Sequence, residues 1–186
     1  MDTAVFSALI PNANSRTREQ IGDVLASFGE PVLSYVARAG ITIHALRNGE
    51  EYKSVSPALG RLGIDVDACP APPAGLFVVE ERRVYLRSLS PMTIAHEFAH
   101  GFDCALGGGV YRSGIDPDIR TAFASARTFV TPYAATGIDE YFAESVRAFI
   151  GANDPASAWP PATSERLRKL DPAMSSAIER ILAALP

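Results

Sequence analysis

His96-Glu97-Phe98-Ala99-His100 places two imidazoles and a carboxylate at the spacing that builds a hydrolytic zinc site on a helix. Residues four apart lie one above the other on one helix face, so His96 and His100 can both reach a single ion, with Glu97 beside the position the metal leaves open. The chain has only three histidines and spends two of them here. A polar helix face carrying two unligated histidines is the plainer reading of any five-residue pattern, and the flanks decide against it. Ser90-Pro91 supplies an N-cap and a first helical residue, Gly107-Gly108-Gly109 an abrupt stop, which frames one helix over 91–106. Within it Ile94, Phe98, Phe102 and Leu106 form an apolar stripe whose burial would fix the aim of the histidine face.

Catalytic zinc normally takes three protein ligands and keeps a fourth position open. A third ligand from the same stretch would stand six residues after His100, but that residue is Leu106. Asp103 lies one turn beyond His100, where a short carboxylate is better suited to orienting a histidine than to binding metal. The remaining route is a later helix, and 139–150 reads as one: Phe142, Val146, Phe149 and Ile150 supply its apolar face, and Gly151 and Pro155 end it. Glu140 and Glu144 share another face of this helix. Their spacing lets one carboxylate bind the ion while the other accepts a hydrogen bond from a histidine's free ring N–H. Cys104, one turn from His100, could serve as a fourth ligand only by closing the position that catalysis needs.

The run His96–Asp103, followed by Phe129-Val130-Thr131-Pro132-Tyr133-Ala134 and Glu140-Tyr141-Phe142-Ala143-Glu144, resembles the catalytic domain of anthrax lethal factor and the related Pro-Pro endopeptidases, which are gluzincin-type zinc metallopeptidases. The resemblance spans roughly residues 70–185. It implies one catalytic Zn2+ held by His96, His100 and Glu140, with Glu97 as general base and acid. It also implies that the Tyr133 hydroxyl stabilises the oxyanion and that Glu144 supports a ligand from behind. A toxin-like or effector-like role follows only by this analogy, and the large toxin's delivery and docking modules have no counterpart in 186 residues.

Upstream of the motif, 75–87 reads as two β runs joined by a charged turn, and one strand could line the cleft and accept an extended peptide along its edge. Thr17 with Gln20 offers a capping box for a helix carrying Ile21, Val24, Leu25 and Phe28, and Pro31–Arg38 a second helix closed by Gly40. Ile41–Leu46 reads as a strand in which His44 is a packed or surface residue. Residues 109–130 read as a long irregular connection with short helices. Met174, Ile178, Ile181 and Leu182 set the stripe of a final helix after Pro172.

A length of 186 residues with 47% hydrophobic and 20% charged fits one metallopeptidase domain, an N-terminal helical and strand part over 1–70 and a zinc-binding core over 71–186. The expected class is α+β and zincin-like: a small mixed sheet on the His96–His100 helix and a second, glutamate-bearing helix, with a mostly helical C-terminal half. A net charge of −4 argues against a partner bound through phosphates. No stretch is apolar enough to span a membrane. The N-terminus lacks the pattern of a signal peptide, so a cytoplasmic protein, or one exported by a signal-independent route, is expected. The expected activity is zinc-dependent hydrolysis of a protein or peptide substrate by a monomer. A zinc amidase acting on a non-peptide bond and an inactive peptide-binding fold are the alternatives, since the same water-activating chemistry serves either bond.

Overall fold

Three short strands, buried on both faces at the central one, organise the computed structural model, which describes residues 3–157 and 159–186. Strands β1 (Thr42–Ala45), β2 (Gly75–Val78) and β3 (Arg83–Leu86) form a sheet of order β1-β3-β2, with β1 parallel and β2 antiparallel to β3. Register places Ile43, Val84 and Phe77 in one row across the sheet. Side chains alternate across a strand, so this row and its neighbours Leu86 and Gly75 share one face. That face joins the main core, whereas Val78 and Tyr85 on the other face pack with Tyr52, Ala58 and Leu59. The latter three come from two short helices, α4 (Tyr52–Val55) and α5 (Pro57–Leu62). Glu81 ties the two layers together by accepting from Ser56 Oγ and Ala58 N–H at 2.5 and 2.8 Å.

Helices fill the other side. Helices α1 (Thr3–Leu9), α2 (Ser15–Leu25) and α3 (Glu30–Arg38) precede the sheet, and α6 (Pro91–Leu106) follows it. Then come α7 (Pro117–Ser125), α8 (Ile138–Phe149), α9 (Ser164–Leu170) and α10 (Pro172–Ala183). Helix α6 is buried at every position from Ile94 to Ala105, so its stripe and its histidine face are both enclosed. It lies on the sheet on one side and on α8 on the other, where the Phe102 and Phe142 rings stand 6.3 Å apart. The expected α+β, zincin-like arrangement of a small mixed sheet on two site-bearing helices, with a mostly helical C-terminal half, is the one found.

Local signals explain most helix ends. Ser90 accepts from the Thr93 N–H at the start of α6, and Asp171 caps α10 through the Met174 N–H. One expectation needs correction: α2 is capped by Asn14, whose side chain accepts from the Thr17 N–H, so Thr17 lies inside the first turn rather than at the cap. Asn14 can adopt the extended conformation of a cap while presenting its carboxamide oxygen to that turn. His44 sits in β1, partly buried, with its Nε2 3.5 Å from Glu50. Among the described residues no helix is long and apolar enough to cross a membrane.

Candidate metal centre

Helix α6 presents His96 and His100 one turn apart on its enclosed face, and α8 presents Glu140 in its first turn opposite them. Their ligand atoms lie within 4.8 Å of one another. The two Nε2 atoms are 3.1 Å apart, and Glu140 Oε2 is 2.9 Å from His96 Nε2 and 3.3 Å from His100 Nε2. Two ligands bound tetrahedrally to zinc at about 2.0–2.1 Å stand roughly 3.3 Å from each other, so the cluster has nearly the spacing a zinc ion requires. Glu140 Oε2 is also buried without an aligned hydrogen-bond donor. An orphaned carboxylate oxygen converging with two imidazole nitrogens is costly unless a cation occupies the shared focus. The donor set, two histidines and a carboxylate, suits zinc.

Charge around the cluster points the same way. Burial pushes the Glu140 carboxyl up, but His100 and His96 outweigh it and hold it well below the usual carboxylate range. For His96 burial acts to lower the pKa, yet Glu140 and Glu144, with the charge of Glu97, raise it to about 10. The pocket thus favours positive charge at His96, whether from a proton or from a metal ion.

Glu144, one turn after Glu140, faces the back of His96. Its Oε1 lies 2.9 Å from His96 Nδ1 and accepts from Arg147 Nε at 2.9 Å; its Oε2 accepts from Thr131 Oγ1 at 2.6 Å and from Arg147 Nη2 at 2.8 Å. Burial opposes ionisation here, but His96 and Arg147 outweigh it and hold the carboxyl at about 2. An ionised Glu144 has no proton to give, so Nδ1 of His96 must carry one, and a metal ion that displaces the second ring proton would meet the Nε2 lone pair at the focus of the cluster.

Glu97 is buried beside these groups, and burial raises its carboxyl above the usual range against the lowering influence of His96 and His100. Its position depends on β2. A Cβ at Gly75 would stand 2.4 Å from Glu97 Cγ and 2.9 Å from Glu97 Cδ. The strand can therefore lie against the motif helix only because residue 75 has no side chain. Gly75, His96, Glu97 and Tyr133 line one open cleft. Since β2 is the edge of the sheet, one side of its backbone has no strand partner among the described residues.

Tyr133 opens a short 3-10 turn (Tyr133–Ala135) and is 46% exposed at the rim. Its hydroxyl donates to Glu140 Oε1 at 3.1 Å, and its ring lies 5.5 Å from that of His96. Burial and the neighbouring Glu140 push the phenol well above its ordinary value, so it remains a proton donor through the neutral range.

The site residues expected from sequence thus converge, except Asp103. Both oxygens of Asp103 go to Ser113, accepting from its N–H at 2.8 Å and from its Oγ at 2.6 Å. They anchor the loop after α6, while His100 Nδ1 is buried without a hydrogen-bond partner among the described residues. Cys104 is buried outside the ligand cluster and lines a small cavity with Arg82 and Gly109. Sequence reasoning missed Gly75, Thr131 and Arg147. Only Arg147 carried a signal, its i+3 spacing from Glu144 on one helix.

Fold and cluster together define a zincin-like α+β protein whose His-His-Glu arrangement is of the gluzincin type. No family model and no curated protein sequence matches the chain. Among solved structures it is similar to the PRO-PRO endopeptidase (PPEP-2) from Paenibacillus alvei, with a TM-score of 0.67. The superposition covers 95% of this chain and 99% of the other at 17% sequence identity, a likeness of fold.

Proposed function

We propose that this chain is a zinc-dependent endopeptidase. The observation that carries the reading is the convergence of His96 Nε2, His100 Nε2 and the orphaned Glu140 Oε2 beside a buried glutamate in an open cleft. Zinc held there supplies Lewis-acid stabilisation and lowers the pKa of a water from about 15.7 to about 7. Glu97 takes the proton of the attacking water and returns it to the leaving amine, and burial raises its carboxyl above the usual range, in the direction that favours holding a proton. Tyr133 stays protonated and can turn its hydroxyl from Glu140 to the charge developing on the scissile carbonyl oxygen, a role typically worth about 3 kcal/mol. Glu144 holds His96 in the ligating tautomer.

An extended peptide suits this cleft because the free edge of β2 can pair with its main chain while the carbonyl faces the cluster. The test exposes a diverse peptide library to zinc-loaded wild type and to Glu97→Ala, with new termini read by mass spectrometry. Cleavage by the wild type alone is expected, and the cleaved sequences would reveal whether the proline preference in the structural relative's name extends to this chain. Equal cleavage by both proteins would contradict the role of Glu97.

A further inference from the structure

Thr131 stands at a junction between the metal cluster and the segment that carries Tyr133. It is 4% exposed, and its single hydroxyl makes two contacts: Oγ1 donates to Glu144 Oε2 at 2.6 Å and accepts from the Ala134 N–H at 3.3 Å. The first contact touches the carboxylate that orients His96, and the second fixes the 3-10 turn that opens on Tyr133. Glu144 gathers donors from three parts of the chain, His96 on α6, Arg147 on α8 and Thr131. Arg147 shares a helix with Glu144 and moves with it. Among the described residues Thr131 is therefore the donor to this carboxylate that ties in the Tyr133 segment.

Tyr133 needs such a tether. Nearly half exposed, its ring is held by the bond of its hydroxyl to Glu140, by the neighbouring His96 ring and by the backbone beneath it. Ala134, fully buried, forms the inner side of that turn, and its N–H is the group Thr131 holds. Valine would fill the same space as Thr131 but could neither donate nor accept, and Arg147 already satisfies Glu144 Oε2.

We propose that the Thr131 hydroxyl is a positioning group that joins the Tyr133 turn to the Glu144–His96 pair, so that metal ligation and the aim of the phenol are set by one hydrogen-bonded unit. The inference rests on the zinc reading above. Linkage makes the coupling reciprocal: an ion that fixes His96 also steadies the turn, and a turn that loses its anchor weakens the ion's hold.

Zinc alone is the probe, with affinity measured by chelator competition and turn stability by hydrogen exchange of the Ala134 amide. In the wild type, zinc slows exchange at Ala134. In Thr131→Val zinc affinity falls by about tenfold, at the low end for partners behind a metal ligand, and the zinc-dependent slowing disappears. Thr131→Ser restores both, which a merely space-filling role would not do. If valine prevents folding, Thr131→Ala is read in the same way against serine. Wild-type affinity and intact zinc-dependent protection in the hydroxyl-free variant would overturn the inference alone, as would a serine variant that behaves like it. A wild type that binds no zinc would overturn the metal reading itself and the inference with it.

Discussion

Glu97 and Glu144 are both buried carboxylates acting on His96, yet burial prevails at one and hydrogen bonds at the other. Four donors hold Glu144 ionised, whereas among the described residues no comparable set surrounds Glu97, whose carboxyl is raised. On the proposed reading these two acids divide the work of orienting a ligand and moving a proton. Glu97→Gln should retain zinc while turnover falls about 10²- to 10⁴-fold, read by steady-state kinetics on a peptide from the library. Tyr133→Phe should lower kcat by about 10²- to 10³-fold with zinc affinity unchanged; an equal loss of zinc would make the tyrosine a binding group instead. Glu140→Ala should act on the metal first, and chelator competition that finds undiminished affinity would remove Glu140 from the ligand set.

At the scale of elements, the site depends on a strand and a helix approaching closely enough to exclude a methyl group. Gly75→Ala would force β2 and Glu97 apart, with overpacking costing about 1–3 kcal/mol in thermal or denaturant unfolding. The loss of turnover should exceed what that destabilisation explains at temperatures where the variant remains folded. Undiminished turnover would show that β2 does not set the aim of Glu97. None of this was legible beforehand, because residues 75 and 97 meet only through the fold. Elements with both a cap and a periodic stripe were legible, as at Ser90-Pro91 before α6 and at Pro172 before α10. Helix α9 has no apolar stripe to mark it in the sequence, because Leu167 is its one buried residue and the charged Arg166, Arg168 and Lys169 surround it. The i, i+4 pairs exposed the candidate ligands, but spacing left open which of Glu140 and Glu144 faces the ion. The structure puts Glu140 at the Nε2 atoms and Glu144 behind His96.

Across the whole molecule, the loop after α6 is anchored by an acid that resists ionisation. Burial pushes the Asp103 carboxyl up to about 6 despite the two donors from Ser113. A folded-state pKa above the unfolded value favours folding below about pH 4, and that contribution is lost as pH rises through about 6. The shift corresponds to about 3 kcal/mol at most. Asp103→Asn can accept from the Ser113 N–H and donate to its Oγ without ionising. Metal-free wild type should therefore lose stability relative to Asp103→Asn between pH 4 and 7, read as unfolding midpoints. Parallel pH profiles would contradict the burial argument. The claim on which all else depends is that His96, His100 and Glu140 hold one zinc ion, and X-ray absorption on the zinc-loaded protein tests it most directly. One zinc per chain with only nitrogen and oxygen neighbours at about 2.0–2.2 Å, two of them imidazoles, is the predicted result; a sulfur neighbour at about 2.3 Å, placing Cys104 or Cys69 on the ion, would contradict it.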